Sequence, residues 1–237
     1  MIQAIYHWHS FVQITSDNSS HNILIDPFVV GNTYCDVEVS ELIDQNPTAI
    51  VLTHGHSDHV WSTLEIADAT DCLVICTYEL GIYLQDHWWL DPSQLSTQSI
   101  WGSVSYEGFD VKFVTALHGG GIEDMTSGYV CTPAGVLVTV WSHTVHHMWD
   151  TGLTKDFELL ANLDILVSFV PIGDRYTMWV DDALLAVAMI WPKYAVPIHY
   201  NTWPVIKVDD MEFARRVLQE NHAVPKILKP WQSIVAN

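Results

Sequence analysis

The stretch Val51-Leu52-Thr53-His54-Gly55-His56-Ser57-Asp58-His59 carries the densest chemistry in the chain. An apolar, strand-like run over Ala49–Thr53 leads into it. A single glycine separates His54 from His56, so on an extended loop both imidazoles point to one side and can grip one ion. Asp58 and His59 follow where the chain should turn into a helix, point elsewhere, and can hold a second ion nearby. Neutral imidazole and carboxylate are ligands for zinc, manganese or iron chemistry. The competing explanation is a polar turn that merely happens to be rich in histidine. Three histidines and an aspartate within six residues at a strand end weigh against it. The pattern predicts a metal site.

The rest of the chain must position these residues. At 237 residues, 49% apolar and 16% charged, it is expected to fold as one domain spanning residues 1–237. Strand-like runs cover Ile2–Tyr6, Phe11–Thr15, Asn22–Ile25, Cys72–Cys76, Val104–Tyr106, Val111–Ala116, Val136–Val140, Thr144–His147, Ile165–Val170 and Ala195–Ile198, with Ser16–Ser20 as a polar turn. Helices are expected over Val60–Ala69, Glu79–Asp86, Leu153–Asn162, Asp181–Ile190 and Asp210–Asn221, the last capped by Asp209 or Asp210. Strands dominate each half with helices after them, which suggests an α+β domain of two packed sheets with helices outside.

Charge narrows the partners. Twenty-eight acidic side chains face nine basic ones, and the first basic residue is Lys112. Nucleic-acid binding needs a positive surface to displace phosphate counterions, and this chain has the opposite. A polybasic membrane patch is excluded on the same ground. No run of 18 apolar residues suggests a membrane span, and the N-terminus has no basic leader pattern, so a cytoplasmic protein is expected. Cys35, Cys72, Cys76 and Cys131 have no tight ligand spacing and fit buried, inert thiols. The apolar excess points to a homo-oligomer of unspecified order.

The histidine motif resembles the H-x-H-x-D-H signature of the metallo-β-lactamase superfamily. The resemblance extends through Tyr6-His7-Trp8-His9-Ser10, Ile23-Leu24-Ile25-Asp26-Pro27-Phe28, Pro171-Ile172-Gly173-Asp174, Pro197-Ile198-His199-Tyr200-Asn201-Thr202 and Ile227-Leu228-Lys229-Pro230. Together these are similar to the bacterial UPF0173 family of metal-dependent hydrolases, which lies near the ascorbate-6-phosphate lactonases and the N-acyl phosphatidylethanolamine phospholipases. The resemblance implies an αββα sandwich with its site along one edge of the sheets. It also implies two divalent ions, zinc first, with manganese, iron or nickel as alternatives. His54, His56 and His118 match the ligands of one ion; Asp58, His59 and His199 match those of the other; Asp150 matches the bridging carboxylate. Asp58 and Asp150 would be the catalytic carboxylates. Asp174 and Thr177 resemble family positions near the substrate end; from their places in the chain, His7 and His9 could line the site or only hold structure together, His147 could support Asp150, and Arg175 could hold one carboxylate or phosphate, whereas His21, His87, His143, His146 and His222 read as surface. The implied reaction is attack by a metal-bound hydroxide on a small ester, lactone, amide or phosphoester, with a small-molecule substrate and neither nucleic acid nor membrane as partner. The rival readings are a non-catalytic metal-binding scaffold and a diiron redox protein of the same fold.

Tryptophan departs from the resembled pattern. There are 11 in the chain, and Trp8, Trp61, Trp89, Trp101, Trp149, Trp179 and Trp231 stand where that family has glycine. Glycine belongs where backbones approach closely or φ is positive. Compensating changes at each position, or an enlarged apolar cleft, would accommodate indoles. A single cause is simpler: UGA codons that the organism reads as glycine, written as tryptophan.

Overall fold

A computed structural model describes every residue except Asn18, Ser19, Asn221 and Asn237, and leaves the side chain of Met125 undescribed. The Ser16–Ser20 turn therefore lies partly outside the described residues, as does the end of the helix expected to reach Asn221. Contacts gather the chain into two compact units, residues 1–102, 119–133 and 230–237 in one, and residues 103–118 and 134–229 in the other.

The first unit holds a seven-stranded mixed sheet. β1 (Ile2–Tyr6), β2 (Val12–Ser16) and β3 (Asn22–Ile25) form an antiparallel meander, and the C-terminal strand Ser233–Ala236 pairs antiparallel with the outer side of β1. From β3 the sheet continues in parallel through β4 (Ala49–Val51), β5 (Leu73–Thr77) and β6 (Leu95–Gln98). Parallel neighbours need crossovers, which here contain helices: α1 (Val39–Asp44), then α2 (Ser57–Val60) with α3 (Thr63–Thr70), then α4 (Tyr78–Trp88). Every residue of β3 and β4 is buried, the signature of strands covered on both faces. Leu24, Ile50, Leu52, Val60, Ile66, Val74 and Leu80 sit in the unit's core.

The helix expected over Val60–Ala69 is two helices. The break falls at Trp61–Ser62, and the Ser62 hydroxyl accepts hydrogen bonds from the Val29 and Val30 amides, both at 3.3 Å. A serine committed to a neighbouring loop ends one helix and starts the next.

The second unit holds another seven-stranded mixed sheet. β7 (Ser103–Tyr106), β8 (Phe109–Thr115), β9 (Ala134–Val140) and β10 (His143–His147) are antiparallel in succession. β11 (Ile165–Pro171), β12 (Tyr194–Ile198) and β13 (Val224–Pro225) then extend it in parallel from β10. The crossovers hold α5 (Val180–Ile190) and α6 (Asp210–Glu220). Asp209 caps α6, its carboxylate accepting from the Met211 and Glu212 amides at 3.0 and 3.2 Å. The helix expected over Leu153–Asn162 is instead a short 3₁₀ segment, Lys155–Leu160, capped by the Thr154 hydroxyl. Such a connector is too short to gain from α-helical propagation.

No helix among the described residues is long and apolar enough to cross a membrane. All four cysteines are free. Burial raises the thiols of Cys35 and Cys131 to about 11, and raises those of Cys72 and Cys76 as well. Only the thiolate reacts at a useful rate. Iodoacetamide at pH 8 should thus label none of them in the native protein and all four after unfolding, as read by intact mass.

Candidate metal centre

In the first unit the parallel pairing of β3 with β4 sets Ile25 opposite Val51. Asp26 and the loop beginning at Leu52 therefore leave the sheet side by side, at the carboxyl ends of their strands, where ligands of open α/β sheets gather. Asp26 is fully buried and ties the loop down. Its carboxylate accepts from the Thr53 amide at 2.9 Å and the Thr53 hydroxyl at 2.5 Å. The same carboxylate lies 2.8 Å from Nδ1 of His59. With the proton on Nδ1 donated to Asp26, the Nε2 lone pair of His59 is turned outward as a ligand, a familiar carboxylate–histidine–metal relay.

Gly55 lets the loop fold closely, for a Cβ there would meet the Ile122 side chain at 2.7 Å. The loop is also pinned by the Glu123 amide, which donates to the Gly55 carbonyl at 2.8 Å. The imidazole of His54 packs edge-on against those of His56 and His59, with centroids 4.3 and 4.2 Å away. Asp58 lies in the first turn of α2, and its Oδ2 is 2.9 Å from Nε2 of His9 and 3.8 Å from Nε2 of His59. His9, Asp58 and His59 thus offer ligand atoms within 4.8 Å of one another. Asp124 makes a similar group with His56 and Asp58.

The second unit contributes its own set. Because β8, β9 and β10 alternate in direction while β10, β11 and β12 are parallel, β8, β10 and β12 all end at the same side of the sheet. His118, Asp150 and His199 follow those three ends. Asp150 is buried, and its Oδ2 lies 3.0 Å from Nε2 of His199 and 3.6 Å from Nε2 of His118. Two hydrogen bonds hold the loops in register: the Leu117 amide donates to the Thr151 hydroxyl at 3.0 Å, and the Gly152 amide to the Leu117 carbonyl at 2.9 Å. Gly173 makes room for His199, since a Cβ there would sit 2.2 Å from the His199 carbonyl oxygen. Trp149 is fully buried beside Asp150, its ring edge-on to His118 at 5.3 Å between centroids.

The donor set suits a borderline divalent cation. Each group supplies imidazole nitrogen and carboxylate oxygen, with no thiol among them, and His59 is backed by a carboxylate that fixes its tautomer. Of the supporting residues expected from the sequence, His9 does face a candidate ligand, Asp58. His7 does not: its Nδ1 meets Asp36 at 2.8 Å and its Nε2 meets Gln13 at 2.9 Å, within a polar network that continues to Asn22 and Gln45. His147 is buried in β10 and stacked on Phe169. Asp174 and Arg175 lie on an exposed turn, Arg175 over the Tyr176 ring and Asp174 accepting from the Thr177 amide.

Two histidines expected at the surface are not there. His21 is buried, and so is His146, which sits on an interior strand with Nδ1 3.1 Å from the Ser168 hydroxyl. Burial first, and the adjacent His147 second, push His146 down to about 3, so it stays neutral. Two site residues were not singled out from the sequence. Asp26 sits within the run Ile23–Phe28, and its signal is the strand end it shares with the motif. Asp124 lies in an irregular segment with positive φ, where no strand or helix pattern marks it.

A model of the Beta-lactamase superfamily domain matches residues 21–200. A UPF0173 metal-dependent hydrolase of Geobacillus thermodenitrificans is 39% identical over 232 residues, 97% of each chain. The UPF0173 metal-dependent hydrolase YtkL of Bacillus subtilis is 40% identical, over 90% of this chain and 92% of its own. Among solved structures, Igni18, a metallo hydrolase from Ignicoccus hospitalis, superposes with a TM-score of 0.86 at 26% identity, covering 98% of this chain and 97% of its own. The metallo-β-lactamase fold protein YhfI of Bacillus subtilis gives 0.73 at 11% identity over 98% of each chain, a likeness of fold alone.

Proposed function

The chain belongs to the UPF0173 metal-dependent hydrolases of the metallo-β-lactamase superfamily, with their α+β fold, and we propose that it hydrolyses a small ester, lactone, amide or phosphoester. The proposed ligands are His54, His56 and His118 for one ion, Asp58, His59 and His199 for the other, and Asp150 shared between them. Zinc is the proposed metal. The observation that carries this reading is Asp150, a buried carboxylate with an imidazole nitrogen on either side of one oxygen.

When bound, divalent ions supply Lewis acidity and lower the pKa of water toward ~7. The chain's own residues do the rest. Asp26 keeps the His59 proton on Nδ1 and its ring fixed. His9 holds Asp58 through Oδ2 at 2.9 Å, which fixes the carboxylate that would both bind an ion and orient the attacking water. The tie between Leu117 and Thr151 fixes the height of Asp150 relative to His118. The excess of acidic side chains disfavours large polyanions, so the proposed substrate is small, and neither nucleic acid nor membrane is a proposed partner. A cytoplasmic location and self-association complete the proposal.

One observation favours a second reading, a non-catalytic metal-binding scaffold: the Trp149 indole fills space beside Asp150 and His118. Metal content by mass spectrometry, together with turnover of a panel of generic esters and phosphodiesters, separates the two. The hydrolase reading expects about two ions per chain, activity lost on chelation and restored by zinc. Metal without turnover on any substrate favours the scaffold; no metal at all removes both. The ions should be lost in acid, because a protonated imidazole has no lone pair left for a metal.

A further inference from the structure

Tryptophan in this chain has an anomalous backbone. Among the described residues, 18 other than glycine have positive φ, and seven of these are tryptophan: Trp8, Trp89, Trp101, Trp141, Trp149, Trp191 and Trp231. None of the nine tyrosines or seven phenylalanines is among them. Asparagine and aspartate also contribute seven, as expected of short polar side chains that tolerate this region. A bulky aromatic there is an outlier, and seven of eleven is not a property of indole.

The local settings are each those of glycine. Trp89 ends α4 in the left-handed conformation, its own amide donating to the Leu84 carbonyl. A helix that closes on a left-handed residue usually has glycine there. Trp191 ends α5 likewise, donating to Val187 at 3.0 Å. Trp101 is the third residue of a turn closed by the Gly102 amide on the Ser99 carbonyl at 2.8 Å, the glycine place of a type II turn. Trp231 follows Pro230 in a turn, the Pro-Gly order of the same type. Trp141 opens the two-residue loop joining β9 to β10, at the positive-φ position of a hairpin turn. Trp8 has φ 83°, equal to that of Gly108. Several of the rings also find no cover, Trp89 being 83% exposed and Trp231 68%.

We infer that the native polypeptide carries glycine at these seven positions, inserted by UGA codons. The inference adds Trp141 and Trp191 to the positions noted from the sequence. It does not reach Trp61 and Trp179, whose φ values of −59° and −73° any residue adopts. Trp88, inside α4 with its indole donating to Glu123 at 2.6 Å, and Trp203, at φ −128°, are genuine tryptophans on the same criterion.

The gene and its product test this together. UGA is expected at all seven codons and UGG at those of Trp88 and Trp203, and peptides of the protein isolated from its source cells should contain glycine at the seven. UGG codons there, or tryptophan in those peptides, overturn it. Folded-state strain supplies a second readout in recombinant protein. Replacing the six tryptophans other than Trp149 by glycine should raise Tm, whereas Trp88→Gly and Trp203→Gly should lower it. A six-glycine chain that melts below the tryptophan chain also overturns the inference.

Discussion

Asp150→Ala should cut hydrolysis by roughly a thousandfold or more and halve the bound metal or worse, while the protein still folds. The size follows from what the carboxylate does. An electrostatic group aimed at the reacting centre is worth roughly 3–4 kcal/mol when removed, and a group that also holds ions costs more. Asp150 accepts the attention of both His118 and His199 through one oxygen, so its loss leaves two largely buried imidazoles facing a gap. That costs stability on the order of 1–3 kcal/mol, within the margin of an ordinary domain. His7→Ala is the control. It removes the partner of Asp36 and Gln13, neither of them a proposed ligand, and should lower Tm with turnover nearly unchanged. Circular dichroism, metal content and ester turnover on the same preparations decide the matter. An Asp150→Ala protein with full metal and undiminished turnover would remove Asp150 from the mechanism.

Trp149→Gly should move metal content and turnover the other way, several-fold upward. The indole is the largest wholly buried side chain, held at φ 65° and edge-on to His118. Glycine releases the backbone strain, about 1–2 kcal/mol for a residue in the left-handed region, and frees the space around His118. The vacated volume costs more than that in the metal-free protein, roughly 3–5 kcal/mol for a large buried aromatic. Thermal stability without metal should therefore fall even as metal occupancy rises. These opposed signs separate an obstructing ring from a working one. If occupancy dropped with the indole gone, Trp149 would be part of the site.

The strands were legible because most are apolar runs ended by turn residues, and the metal motif because its histidines are adjacent in sequence. Asp150, His118 and His199 were legible only through the resemblance; each is a lone residue after a strand, and only the sheet order shows that their strands finish together. Asp26 had to be seen in three dimensions, since its partners Thr53 and His59 lie 27 and 33 residues away. β6 (Leu-Ser-Thr-Gln) and the C-terminal strand escaped notice because their sequences are too short or too polar to show alternation. His146 looked like a surface residue in a run of histidines. It is interior because β10 has partners on both sides, β9 and β11, and a central strand exposes little.

The pairing of Ile2 with Ala236 has a consequence for the order in which the polypeptide matures. β1 is synthesised well before the strand that covers its outer edge. Until residues 233–236 emerge, β1 presents a row of free amides and carbonyls, the kind of edge onto which another chain can add. Strand β13 shows the opposite arrangement, for it is two residues long and carries Pro225, so it offers little to pair with. A growing chain is thus exposed to mispairing along β1 until residues 233–236 have been made and can pair with it.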